Sequence, residues 1–213
     1  MTHPSLLALL IAYLLGSLSG SLILGRLRGV DIRTRGSGNA GGTNAFRTLG
    51  WRFALGVVVI DLGKGALAAW IGWRLGGAGA LSSQALALAC ALLAAAGHTW
   101  PVFFGFRGGK GAGTLVGGLL LAWPLAALPL VLVWLLLLTT TGYVGLATIC
   151  AALALIPADW LLPGGSDARS VFAWLAAGFI VFTHRGNLQR LFAGSEHRFE
   201  RARLLARLFA GKS

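Results

Sequence analysis

Negative charge is nearly missing: among 213 residues there are 6 Asp and Glu against 18 Lys and Arg, and charged residues of both signs make up only 11%. A soluble domain covers itself with charge. This scarcity, beside 56% hydrophobic residues, excludes the ordinary soluble classes and leaves a polytopic membrane protein as the default. Cysteine is almost as rare. Cys90 and Cys150 lie in apolar runs with no CxxC spacing, so they read as packed thiols and neither a disulfide nor a metal site is expected. The basic residues flank apolar spans and carry no recognition helix or aromatic RNA-binding signature, which excludes nucleic acid as the partner. The net charge of +12 then points to anionic lipid headgroups or anionic substrates.

What is present is a series of long apolar runs. The first, Leu6 to Leu24, has the length of a membrane-spanning helix, and its Gly16, Ser17, Ser19, Gly20 and Ser21 suit close packing inside a bundle. A cleaved signal peptide would need its positive charges before the run; here Arg26, Arg28, Arg33 and Arg35 follow it. Further spans are expected over Phe53–Trp73, Ala85–Gly97, Ala112–Trp123, Ala126–Leu138, Val144–Ile156 and Val171–Thr183, with Asp159 to Asp167 as an external loop. The three between Ala112 and Ile156 come out short for a bilayer. The pattern predicts an all-α, polytopic helical bundle of about seven transmembrane helices, with the N-terminus outside and the C-terminus cytoplasmic. Basic residues support that orientation, because they collect in the loop from Arg26 to Arg52, in the central loop and after Thr183, leaving only Arg74 and Arg169 outside. Trp70, Trp73 and Arg74 form an interfacial belt, and the tail, with Leu204, Leu205, Leu208 and Phe209 among arginines, is expected to lie on the inner leaflet.

Three polar, glycine-bearing motifs fall on the face predicted to be cytoplasmic: 36–47, 97–114 and 183–199. In the first, GSGNAGGTNAFR, hydrogen-bonding Ser37, Asn39, Thr43 and Asn44 precede Arg47, whose planar fork suits a phosphate; a flexible linker is the bland alternative. In the second, Gly108, Gly109 and Gly111 surround Lys110, an arrangement for holding an anion with backbone N–H groups and one point charge. It is not a nucleotide P-loop, because Phe104 stands where the first Gly belongs and Gly111 where the Ser/Thr belongs. His98 opens this loop, either donating to backbone at a helix end or touching substrate. In the third, His184, Asn187 and Arg190 share a helical face and can converge on a ligand. Asp61 and Lys64 share a face within an apolar span and read first as a structural ion pair; Glu196, among arginines, has a similar neutralising role.

GSGNAGGTNAFR, GHTWPVFFGFRGGKGAGT and HRGNLQRLFAGSE together resemble the cytoplasmic motifs of the bacterial membrane acyl-phosphate:glycerol-3-phosphate acyltransferases, and DLGKG in the second span resembles a further signature. Gly42 and Gly113 stand where that family usually has Ala, Thr183 where a basic residue is common, and Gly145 where Ser is frequent. The resemblance implies a single integral-membrane acyltransferase domain over 1–213. It would transfer a fatty acyl group from acyl phosphate to the 1-hydroxyl of glycerol 3-phosphate, giving lysophosphatidic acid and phosphate in phospholipid synthesis. It implies His184, Asn187 and Lys110 as catalytic, and a phosphate-binding set of Ser37, Asn39, Thr43, Asn44, Arg47, His98, Gly108, Gly109, Lys110, Gly111, Thr148 and Arg185. Thr148 enters as a stand-in for the hydroxyl missing at Gly145.

The absence of a GxSxG elbow, and of an Asp five residues after His98, His184 or His197, agrees with direct transfer that needs no protein nucleophile. An acyl phosphate is already activated, so positioning and charge stabilisation suffice. Neither cofactor nor metal is expected. The expected partners are acyl phosphate, glycerol 3-phosphate and membrane lipids, the expected place is the bacterial cytoplasmic (inner) membrane with the active site facing the cytoplasm, and a monomer is the working state. The rival reading is an anion channel or phosphate-ester transporter, which would place its ligand site in broken helices at the midplane and show an internal repeat; none is visible.

Overall fold

The computed structural model describes residues 3–77 and 81–203. Eleven α-helices and short 3-10 turns account for its regular structure, with no strand among the described residues. The chain divides into two compact units at Pro124 and Leu125.

The first unit contains α1 (His3–Gly16), α2 (Gly20–Leu27), α3 (Gly42–Leu49), α4 (Trp51–Leu75), α5 (Ser83–Thr99) and α6 (Ala112–Ala122). The run expected to be one straight span is instead the bent pair α1 and α2, 45° apart. Apolarity does not report a bend, whereas the Ser-rich stretch Ser17–Leu18–Ser19 lets hydroxyls compete for backbone groups, as Ser17 does in donating to Tyr13 O at 2.9 Å. The helices pack through small residues. A Cβ on Gly65 of α4 would strike the Thr114 carbonyl of α6, and one on Gly117 of α6 would strike Leu62 of α4, so the two backbones are in contact. Ala8, Ala12, Ala68, Leu86, Cys90 and Ala94 form the core between α1, α4 and α5.

The second unit contains α7 (Ala127–Thr141), α8 (Val144–Leu153), α9 (Leu155–Leu161), α10 (Asp167–Thr183) and α11 (Arg185–Phe192). α7 runs past the expected end at Leu138, and within it the hydroxyls of Thr139, Thr140 and Thr141 donate back to the carbonyls of Leu135, Leu136 and Leu137. Pro129 does not break it, since it sits in the first turn, where its missing N–H has no partner to lose. Pro157 does separate α8 from α9: it cannot bond the carbonyl four residues back, on Leu153. The loop expected from Asp159 to Asp167 is shorter. Asp159 is buried within α9, bonded to Ser170 and 3.5 Å from Arg169 Nε, while Asp167 opens α10. Arg169 is likewise buried, donating to the carbonyls of Pro163 and Gly164.

Leucines on the outer faces remain exposed, and only 11% of the Pro124–Thr141 span is buried, the inverse of a water-soluble helix. Among the described residues, four helices are long and apolar enough to cross a membrane, or five with the bent pair counted as one. This count stops short of the seven expected crossings. α6, with 11 residues, is only about 17 Å long. The tail residues Leu204, Leu205, Leu208 and Phe209, and part of the turn before Ser83, lie outside the described residues.

Candidate functional site

In the first unit the sequence after α2 cannot continue as helix, because Gly29, Gly36 and Gly38 adopt positive φ. The resulting loop is organised by Asn44. Its Oδ1 accepts from Ser37 N at 3.0 Å, and its Nδ2 donates to the carbonyls of Arg35 at 2.9 Å, Asn39 at 3.1 Å and Ile32 at 3.3 Å. An amide so engaged, and buried, shapes the loop from within. Asp31 and Arg33 then fasten the first motif to the second. Their ion pair measures 2.7 Å, and Arg33 donates to the carbonyls of Phe104 and Arg107, both at 3.0 Å. The Arg33 hydrogen bond holds the Asp31 carboxyl below its ordinary pKa, and Asp31 in turn raises that of Arg33.

The second motif closes directly onto the start of α6. Gly111, at φ 79°, caps that helix, so the loop carrying Lys110 ends at the positive end of a helix dipole. The N–H groups of Gly108 and Gly109 are held by the carbonyls of Thr99 and His98 at 3.1 Å each. A Cβ on Gly109 would meet the His98 ring and lie 2.7 Å from the Ala40 carbonyl, so glycine is required where the two motifs touch.

Behind the loop lies a cluster whose connections sequence reasoning missed. Asp61 and Lys64 form the expected ion pair, at 2.9 Å on one face of α4. Lys64 Nζ also contacts His98 Nδ1 at 2.8 Å and donates to Leu18 O at 3.1 Å, while Asp61 accepts from Gly20 N at 3.1 Å. The break between α1 and α2 leaves these backbone groups without helical partners in apolar surroundings, and the pair satisfies them. The available signal was the small polar run around Ser17 and Ser19, which marks a helix needing outside partners.

In the second unit, His184 ends α10 and precedes α11. Its Nδ1 is 2.9 Å from Ile180 O, and a carbonyl only accepts, so Nδ1 carries a proton and donates. Arg185 donates to Phe182 O at 3.0 Å and stacks on the Phe182 ring at 4.4 Å. Glu196 bridges the helix face, accepting from Asn187 Nδ2 at 2.6 Å and Arg190 Nε at 2.8 Å. Gly145 leaves room for the Asn187 amide, since a Cβ there would sit 2.7 Å from Nδ2. Thr148 lies on α8 with its hydroxyl engaged within the bundle. Its Oγ1 donates to Val144 O at 2.8 Å and accepts from Trp134 Nε1 at 3.2 Å, a helix-to-helix contact.

A family model described as glycerol-3-phosphate acyltransferase matches residues 6–194. The chain belongs to the glycerol-3-phosphate acyltransferase family. A relative of that name from Chlorobaculum parvum is 40% identical over 216 residues, covering 88% of this chain and 93% of the relative. Two crystal structures of PlsY (YgiH), an integral membrane glycerol 3-phosphate acyltransferase, share the fold. Its glycerol 3-phosphate form is 36% identical with a TM-score of 0.83, covering 92% of this chain and 95% of that one. Its lysophosphatidic acid form is 35% identical with a TM-score of 0.82, covering 94% and 98%. In this family context, the glycine loops in the first unit and the His184 helix end in the second become the candidate acyltransferase residues.

Proposed function

We propose that the protein transfers a fatty acyl group directly from acyl phosphate to the 1-hydroxyl of glycerol 3-phosphate, releasing lysophosphatidic acid and inorganic phosphate. The observation that carries this reading is likeness over 92% of the chain, at TM-score 0.83, to an integral membrane enzyme with a glycerol 3-phosphate form. The residues supply a consistent chemistry. In the first unit Arg47, Lys110, His98 and the Gly111 amide, on a loop that Gly108 and Gly109 shape, and in the second unit Arg185, are the cationic and N–H donors assigned to the phosphate anions; Ser37, Asn39 and Thr43 belong to the first loop. The hydroxyl oxygen attacks the acyl carbonyl, the bond from carbonyl carbon to phosphate oxygen breaks, and the hydroxyl proton passes to His184 Nε2 or to the departing phosphate. Asn187, held by Glu196, is the donor assigned to the developing oxyanion or leaving phosphate.

This assignment puts the enzyme in the bacterial inner membrane as a multi-pass monomer of seven crossings, with N-terminus outside, C-terminus cytoplasmic and active site facing the cytoplasm. Basic residues in the loops between spans support that orientation. The decisive assay measures phosphate release by purified protein given acyl phosphate and glycerol 3-phosphate. Direct transfer gives intersecting initial-rate lines and no acylated protein with acyl phosphate alone. Parallel lines with a trapped acyl-enzyme overturn it. A cysteine at Ser83 labelled by an impermeant reagent from outside, with one at Ser37 protected, supports the orientation; the reverse refutes it.

A further inference from the structure

The cluster behind the glycine loop has a directionality that the scheme above does not use. An ammonium offers three N–H donors and no acceptor. Lys64 has three acceptors in reach: Asp61 Oδ1 at 2.9 Å, Leu18 O at 3.1 Å and His98 Nδ1 at 2.8 Å. The last contact is a hydrogen bond only when Nδ1 is the acceptor. His98 Nδ1 also lies 3.3 Å from Asp61, but donating there would set an N–H against the ammonium at the shorter distance. The proton of the neutral ring therefore sits on Nε2. That nitrogen lies against Gly109, where even a Cβ would collide with it, and it has no hydrogen-bond partner among the described residues. His98 is only 4% exposed. An N–H set against an anion-suited loop is a ready donor to a phosphate oxygen.

We infer that Lys64 is a positioning residue: by donating to Nδ1 it locks His98 in the Nε2–H tautomer, so that the ring presents a fixed donor to a phosphate oxygen of glycerol 3-phosphate at the Gly108–Gly111 loop. The inference rests on the reading of that loop as a phosphate site. It gives a reason for an ion pair in an apolar span that helix packing alone does not. Well-packed apolar residues often replace a buried pair without loss, but they cannot set a tautomer. Asp61 anchors the ammonium and takes the Gly20 N–H, which ties the lock to the bend between α1 and α2.

The test uses the full chain in lipid nanodiscs with 15N-labelled histidine, the His98 signals being assigned with a His98→Asn variant. The wild-type ring should show a protonated Nε2 and a lone-pair Nδ1, and glycerol 3-phosphate should shift the Nε2 signal. In Lys64→Met the tautomers should mix and KM for glycerol 3-phosphate should rise at least tenfold, with kcat changed less than threefold. Lys64→Gln, which can still donate, should recover most of the loss. A wild-type ring protonated on Nδ1, an Nε2 signal indifferent to glycerol 3-phosphate, or an unchanged KM in folded Lys64→Met overturns the inference. If Lys64→Met does not fold, the two wild-type spectra decide it alone. Acyl transfer with an indifferent Nε2 sinks the tautomer lock but not the proposed reaction. An Nε2 that responds in a protein unable to use acyl phosphate supports the lock and sinks the donor assignment.

Discussion

The two units hold their polar motifs by opposite means. In the first, the glycine loop rests on His98 and an ion pair whose side chains are 5% and 6% exposed, and its backbone touches neighbouring backbone with no spare volume. In the second, α11 is held by Glu196, one of whose partners, Arg190, has 47% of its side chain exposed. Removing one partner of a buried pair costs about 3–5 kcal/mol, whereas an exposed pair contributes about 0–1 kcal/mol. The first unit thus offers a rigid cradle and the second an adjustable arm, and substitutions should be punished accordingly.

The largest effect should come from removing the cradle's charge. Lys110→Ala should lower kcat/KM for glycerol 3-phosphate by roughly 10²–10³, about 3–4 kcal/mol, while thermal unfolding stays near that of the wild type. Near-normal kinetics would reduce the loop to a turn. Next comes the same substitution in each unit. Gly109→Ala forces a methyl against a ring and a backbone carbonyl, so activity should fall by more than 100-fold; Gly145→Ala crowds Asn187 from Nδ2 at 2.7 Å to Cβ at 2.8 Å and is relieved only where α11 shifts with it, so the loss should be smaller. Equal losses would erase the distinction between cradle and arm.

A glycine with room around it should behave differently again. Gly113 lies in the first turn of α6, and an added Cβ would come no nearer than 3.8 Å to Asp61 Cβ. Gly113→Ala should therefore stabilise the protein by about 0.5–1 kcal/mol through lost chain entropy, with kinetics unchanged. The smallest effect concerns the Asp31–Arg33 clamp. Because the folded pKa of Asp31 is depressed, its stabilisation is present above the ordinary carboxylate range and is lost as pH falls through the folded value. Asp31→Asn should lower the unfolding temperature slightly at neutral pH, and that difference should shrink below about pH 4. A gap that widens on acidification would reverse the sign.

Parts of this architecture were legible in advance for definite reasons. α4 and α5 were readable because a long apolar run bounded by polar residues is a local property, and the Gly108–Gly111 loop because glycine around lysine has few other uses. The bend after Gly16 was not, since hydropathy is blind to direction. Asp159 reads as loop because the stretch to Asp167 carries both acids and turn residues; its partners Ser170 and Arg169 lie on the next helix.

From its own residues the chain determined the membrane-protein class, most of its helices, the glycine loops and the resemblance to an acyltransferase family. These follow from composition and spacing within short windows. Tertiary structure decided what the ionisable groups do. His98, Asp61 and Lys64 meet partners 34, 41 and 46 residues away, and Asn44 spends its amide inside its own loop. A hydrogen bond needs atoms within about 3 Å, and only the packing of α1, α2, α4 and α5 selects which distant groups come that close.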